Sequence, residues 1–235
     1  MSTPQAKTKL LHTIPTFAGL SEDQLAALGA RIGTQSFERG ETIFHQGSMG
    51  SVLYIVVSGQ VRIYTTVETG QELSVSIMRA GDFFGEMALL DGQPRAASAQ
   101  AMCATTTLTL HRATFLHTLN TCPSIAAAIL EVMAARLRRS NLYAEQLAGL
   151  PAAQRVVRQL LSLAARYGVP EDGATRIDLR LTQDDLASLS GTTRETVNRV
   201  LSSLRDQGLI RVERARVSVL DLAQLERSLA HFPSS

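Results

Sequence analysis

Between residues 38 and 114 apolar positions come in short runs separated by glycine. The runs are 42–44, 52–57, 61–64, 73–78 and 105–110, and glycines fall at 40, 47, 50, 59, 70, 81, 85 and 92. Short runs with regularly spaced turn signals predict an antiparallel sandwich or barrel. Residues 58–60 and 68–71 are candidate hairpin turns. Upstream, Ser21 as N-cap with Leu25, Leu28 and Ile32 at helical spacing predicts a short helix. Beyond residue 120 the period changes. Ala126, Leu130, Met133, Leu137, Ser140, Ala144 and Leu147 alternate at spacings of four and three, a heptad seam on one long helix. Such a helix packs either on its own domain or against a parallel partner helix, which would make a homodimer.

Leu150-Pro151 interrupts that pattern and marks a hinge, because the residue before proline disfavours helix. Val156, Val157, Leu160, Leu161, Ala164 and Ala165 predict another helix, and 167–175 reads as a Gly/Pro loop. Two short helices then adjoin. Thr182 with Asp185 forms a near capping box for the first, whose Leu186 and Leu189 face inward, and Gly191 permits a tight turn. Thr193 caps the second, in which Val197, Val200, Leu201 and Leu204 form the core stripe. Glu195, Asn198, Arg199 and Ser202 are left outward, with Arg194 at the N-terminal end. Two short helices joined at a glycine turn form a helix-turn-helix, a unit that lays its second helix in the DNA major groove. A small hairpin should follow, 209–212 with 217–220, turning at 213–216, and Asp221 should cap a terminal helix to about Ala230.

Composition narrows the picture mainly by exclusion. A chain of 235 residues, 45% apolar and 19% charged, supports a buried core without staples. Cys103 and Cys122 are far apart, no histidines pair at ligand spacing, and no metal site is expected. No GxxxxGK[ST], GxSxG or GxGxxG occurs, so no motif suggests an enzyme. The run 52–57 is too short to span a bilayer, and the N-terminus lacks an apolar signal core. The expectation is a cytoplasmic protein without a membrane partner. Net charge is +2 but uneven: residues 1–119 carry 8 Lys/Arg against 9 Asp/Glu, and residues 120–235 carry 15 against 12. All but Lys7 and Lys9 of these cations are arginine, which reflects either codon bias or a need to grip phosphates and guanine edges.

One segment inside the strand-rich half does not read as strand: Gly81-Asp-Phe-Phe-Gly85-Glu86-Met87-Ala-Leu-Leu-Asp-Gly92-Gln-Pro94-Arg95-Ala96-Ala-Ser98. Gly85 lets the backbone turn sharply into a helical turn whose free N–H groups favour an anion. Arg95 can clamp a phosphate through two donors, while Glu86 suits a sugar hydroxyl. The same residues also fit a surface turn with a Glu–Arg ion pair. Phe84-Gly85-Glu86-Met87-Ala88-Leu89-Leu90 followed by Pro94-Arg95-Ala96-Ala97 resembles the phosphate-binding cassette of the cyclic-nucleotide-binding domain. Gly40-Glu41-x-Ile43-Phe44-x-x-Gly47 and Tyr54-Ile55-Val56-x-x-Gly59-x-Val61 resemble its early strands. The resemblance implies that Glu86 takes the ribose 2′-hydroxyl and Arg95 the cyclic phosphate, with Gly85, Met87 and Ala96 around them. Ala96 departs from the Ser or Thr usual there, and Ser98 is the nearby hydroxyl that could compensate. Ser140 and Asn141 match the position on the family's dimerisation helix that meets the adenine ring. Arg136, Arg138 and Arg139 read as solvated.

The recognition-helix stretch Arg194-Glu195-Thr196-Val197-x-Arg199 resembles that of the cyclic-AMP receptor protein family, within the CRP/FNR superfamily of bacterial transcription regulators. By that resemblance Arg194 and Arg199 read guanines and Glu195 accepts from a cytosine amino group, on palindromes with TGTGA-type half-sites. Thr182, Thr193 and Asn198 border the same surface, and Arg214 and Arg216 at the hairpin tip touch phosphates. The implied architecture is α+β. It comprises a cyclic-nucleotide-binding, jelly-roll-like β-roll with N-terminal helices (1–120), a long dimerisation helix (121–150) and a winged helix-turn-helix (151–235). The implied function is that of a homodimeric DNA-binding regulator activated by cyclic AMP, with RNA polymerase as a further partner that the 167–175 loop could contact. An effector-independent regulator, or one answering to another ligand, is the alternative.

Overall fold

The computed structural model describes residues 3–231, in two compact units divided between Arg139 and Ser140. Unit 1 opens with helix α1 (Pro4–His12), a 3-10 turn (Pro15–Phe17) and helix α2 (Glu22–Arg31). The α2 start is a full capping box: Ser21 Oγ accepts from Gln24 N, and the Gln24 side chain accepts from Ser21 N at 3.0 Å. Strands β1 (Gly33–Phe37), β2 (Thr42–Phe44), β3 (Val52–Ser58), β4 (Val61–Thr66), β5 (Glu72–Met78) and β6 (Phe83–Phe84) follow. After them come the one-turn helix α3 (Met87–Asp91) and strands β7 (Ser98–Ala101) and β8 (Thr105–His111). They form two antiparallel four-stranded sheets, ordered β1-β8-β3-β6 and β2-β7-β4-β5.

The apolar run at 52–57 acquires a reason here, since β3 is buried on both faces. Leu53 and Ile55 point into a core shared with Leu11, Phe17, Leu25, Phe115, Ile125 and Ile129. Tyr54 and Val56 point the other way, into a second core with Phe37, Val61, Met78 and Phe84. Alternation therefore separates two apolar sets rather than apolar from polar. The 68–71 turn is a true hairpin joining β4 and β5. The 58–60 turn is not one: β3 and β4 lie in different sheets, and Gly59, at φ +90°, carries the chain across while Gln60 N donates to Thr105 Oγ1.

Helix α4 (Arg112–Thr121) leads into helix α5 (Pro123–Gly149). Ile125 and Ile129 of α5 are buried in unit 1, with Val132 and Met133 packed beside them. Other seam positions stand out from this packing: Leu130 is 66% and Leu137 63% exposed, and Leu147 is exposed too. The helix thus packs on its own domain along one face and offers a leucine-rich face outward. Among the described residues no single helix is long and apolar enough to cross a membrane.

Unit 2 continues with α6 (Ala152–Tyr167), β9 (Gly168–Glu171), β10 (Ala174–Ile177), α7 (Gln183–Ser190) and α8 (Arg194–Asp206). It ends with β11 (Ile210–Glu213), β12 (Arg216–Val219), α9 (Leu222–Arg227) and a 3-10 turn (Ser228–His231). The terminal helix is capped by the Asp221 side chain, which accepts from Gln224 N at 2.9 Å. Residues 167–175 are a β-hairpin rather than a loop. Asp172 and Gly173, both at positive φ, make its turn, and β10 then joins β12 in a sheet ordered β11-β12-β10-β9.

Past the hinge, one side chain ties three pieces together. Arg155 donates to Leu150 O (2.8 Å), Ser190 O (2.9 Å) and Gly191 O (2.7 Å), fastening the end of α5 to the turn after α7. Ser190 itself is 1% exposed, and its hydroxyl has no partner among the described residues. A buried orphan hydroxyl is a net cost. Ser190→Ala should therefore stabilise the protein by about 1 kcal/mol in urea unfolding; a loss of stability would show that the hydroxyl is satisfied.

Candidate functional site

The residues 81–95 are shaped by two glycines and one buried cation. β6 pairs with β3 (Tyr54 with Phe84, Ile55 with Phe83), which fixes where the chain leaves the sheet. Gly85 then turns it at φ +82°, and Glu86 begins α3. Arg95 returns alongside: its N donates to Ser48 O and its carbonyl accepts from Gly47 N, both at 2.8 Å. Its guanidinium donates to Gly85 O and Val52 O at 2.6 Å each and lies 4.1 Å over the Phe44 ring.

Arg95 is 5% exposed, and its Nε has no hydrogen-bond partner among the described residues. Burial pushes its pKa down, and nearby Tyr54 and Glu86 push it back up. An arginine remains charged throughout the accessible range, so this is a buried cation held by neutral carbonyls. A Cβ at Gly85 would meet Arg95 Nη1 at 2.6 Å, and one at Gly50 would collide with Nε. Glycine is required at both places for the guanidinium to fit. A buried cation with one free donor in a glycine-lined cradle has the chemistry to take an anion.

Glu86 is 5% exposed but does not pair with Arg95, which sets aside the surface ion pair as the reason for these residues. Its partner is Arg136 of α5, Nη1 to Oε1 at 2.9 Å. Arg136 also donates to Phe83 O and lies 4.7 Å over the Phe83 ring. The expectation that Arg136 is solvated is therefore wrong. The signal was present in the sequence: Ile125, Ile129, Val132, Met133 and Arg136 fall at i, i+4, i+7, i+8 and i+11, one helix face.

Met87 and Ala96 are exposed at the edge of the cradle. Ser98 is not a substitute donor in the cradle: it is buried in β7, and its hydroxyl accepts from Gln46 N at 2.9 Å. Ser140 and Asn141 are exposed on α5, within the second unit.

In unit 2 the capping is as the spacing predicts. Thr182 Oγ1 accepts from Asp185 N (3.1 Å) while Asp185 Oδ2 accepts from Thr182 N (2.8 Å), and Thr193 Oγ1 accepts from Thr196 N (3.3 Å). Val197, Val200, Leu201 and Leu204 are buried, which turns Arg194, Glu195, Asn198, Arg199 and Ser202 outward. Arg194 Nε donates to Gln183 Oε1 at 3.3 Å and its Nη1 lies 3.7 Å from Asp184, so α7 supplies two neighbours that the motif did not bring out. Both members of that ion pair are largely exposed, and it constrains Arg194 little. At the β11–β12 tip, Arg214 and Ala215 both take positive φ (48° and 62°), and Ala215 O accepts from Leu181 N at 2.8 Å. The tip is thereby anchored beside the start of α7. Arg214 is exposed and Arg216 half-buried.

Residues 34–122 match the family model described as the cyclic nucleotide-binding domain, and residues 154–228 match that of the Crp-like helix-turn-helix domain. The chain is 36% identical over 219 residues to a CRP-like cAMP-activated global transcriptional regulator of Mycobacterium tuberculosis, covering 93% of this chain and 98% of that one. It is 35% identical over 212 residues to a cyclic AMP receptor protein of Thermus thermophilus, covering 90% and 95%. Among solved structures, the c-di-GMP responsive global regulator CLP of Xanthomonas campestris superposes with a TM-score of 0.71 at 26% identity, over 82% of this chain and 95% of that one.

Proposed function

The chain belongs to the CRP/FNR superfamily of transcription regulators, and from that premise we propose that it is a homodimeric, sequence-specific DNA-binding regulator whose effector is cyclic AMP. The observation that carries the effector reading is the buried Arg95 with its unpartnered Nε, held in a glycine-lined cradle. A cyclic phosphate supplies the missing anion, and charge-assisted hydrogen bonds of this kind are among the strongest available. Glu86 has its second carboxylate oxygen for the ribose hydroxyl while Arg136 holds the first. Ser140 and Asn141 carry the donor and acceptor chemistry that a purine edge requires. Two relatives named for cyclic AMP support this choice.

On the DNA side, Arg194 and Arg199 read guanine O6/N7 and Glu195 accepts from cytosine N4, on a palindrome with TGTGA-type half-sites. Asn198 borders them, and Thr182, Thr193, Arg214 and Arg216 position the domain on phosphates without choosing sequence. The exposed leucines of α5 are the dimer seam. RNA polymerase is the further partner.

A second reading keeps the DNA site and changes the ligand. Ala96 favours it, because a phosphate contact is missing there and Ser98 is committed to the sheet. The Xanthomonas regulator, named for a cyclic dinucleotide, belongs to the same structural class. Calorimetry with cyclic AMP followed by operator titration with and without it separates the two. The expected result is saturable binding and tighter DNA affinity, with DNA tightening cyclic AMP by the same factor. No binding at about 1 mM ligand, or a DNA affinity indifferent to it, overturns cyclic AMP as the effector.

A further inference from the structure

A tyrosine that the cassette motif does not include packs beside the Arg95 cradle. Tyr54 lies in register opposite Phe84, the residue before Gly85, and two positions along β3 from Val52. Gly85 and Val52 are the residues whose carbonyls hold the Arg95 guanidinium. The Tyr54 ring stacks on Phe84 (centroids 5.2 Å apart, planes 13° apart) and sits 5.8 Å from Phe44, the ring beneath Arg95. Tyrosine and arginine thus have Phe44 as a common neighbour.

Packing alone does not account for a tyrosine at this place. The residue is 8% exposed among Phe37, Phe44 and Phe84, where phenylalanine would fill the same space without a polar atom to satisfy. No described residue hydrogen-bonds its hydroxyl. Burial raises the phenol pKa and Arg95 opposes that rise, so the two groups sense each other and the phenol keeps its proton at neutral pH. A protonated phenol is a donor, which is what a phosphate oxygen accepts.

We propose that the Tyr54 hydroxyl donates to the effector's phosphate, supplying from β3 the neutral donor that Ala96 cannot supply after Arg95. This rests on the reading of the cradle as a cyclic-phosphate site. It adds a ligand contact outside the 81–96 segment and accounts for phosphate recognition without a hydroxyl at residue 96.

Tyr54→Phe in the full chain deletes one oxygen and keeps the ring stack. Cyclic AMP is the probe, and the readouts are calorimetry, the ligand-free unfolding midpoint and tyrosine emission, which no tryptophan obscures. The expected result is a Kd about tenfold weaker, with an unchanged ligand-free midpoint. Part of the emission change seen on saturating the wild type should also disappear. A Tyr54→Phe protein that binds cyclic AMP as the wild type does overturns the proposal while leaving the cradle reading standing. Weakened binding with a lowered ligand-free midpoint also overturns it, in favour of a packing role. A wild type that does not bind cyclic AMP overturns the cradle reading itself, and this proposal with it.

Discussion

Arg95→Gln should weaken cyclic AMP binding by at least about a hundredfold, the loss expected for a charge-assisted, two-donor contact to phosphate. The same change strips the donors from Gly85 O and Val52 O, so unit 1 should also unfold more easily, by about 2 kcal/mol. Arg95→Lys separates the two effects. It keeps a cation but loses the fork, so one ammonium cannot serve both carbonyls and an anion in the geometry of a guanidinium. It should retain some binding and more of the stability. Calorimetry together with thermal unfolding of the three proteins measures both. An Arg95→Gln protein within about threefold of the wild-type Kd would place the phosphate elsewhere.

The second large effect lies on α8. Arg199→Ala should cost about 1–3 kcal/mol of operator affinity and relax the choice of base at a single guanine, because the proposed bidentate base contact would be lost while the helix keeps its buried stripe. Arg214→Ala is the contrast. At the hairpin tip it should weaken all sequences alike and flatten the salt dependence by roughly one counterion. Titrations of TGTGA-type and scrambled duplexes at several salt concentrations distinguish the two behaviours. If Arg199→Ala lowers affinity for both duplexes equally, its contact is to phosphate.

What could be read from the chain depended on whether a residue's environment is local. The caps at Ser21, Thr182, Thr193 and Asp221 were legible because a cap joins residues three apart. The stripe Val197, Val200, Leu201, Leu204 was legible because its period is helical. Strands β1 (Gly-Thr-Gln-Ser-Phe) and β7 (Ser-Ala-Gln-Ala) were not, since their polar and small residues are made strand by the neighbours they pair with. Residues 167–175 read as a loop because Gly and Pro look like breakers, yet β10 provides a partner for Pro170 and Asp172-Gly173 a tight turn. The 58–60 turn has the local chemistry of a hairpin, and only the sheet order reveals that it crosses between sheets.

The site divides along the same line. Gly85, Glu86 and Arg95 lie within one segment and could be weighed together. Arg136 and Tyr54 are about 50 and 30 residues from Glu86 in the chain, and nothing but the fold brings them to it. The heptad seam drew attention to a neighbouring face of α5, which shares Met133 with the one Arg136 uses.

If the cradle takes a cyclic phosphate, as proposed, the pairing of Glu86 with Arg136 also sets an electrostatic filter. With Arg95 it makes one carboxylate and two guanidiniums, a cluster of charge +1 with two of its three members almost fully buried. A cyclic phosphodiester brings a single negative charge and leaves the cluster neutral. A ring-opened phosphate monoester carries close to two near pH 7, because its second pKa is about 6. That leaves one uncompensated charge in a low-dielectric site, a state that costs several kcal/mol. Hydrolysis of the phosphate ring thus turns a matched ligand into a mismatched one with no change in the base or the sugar.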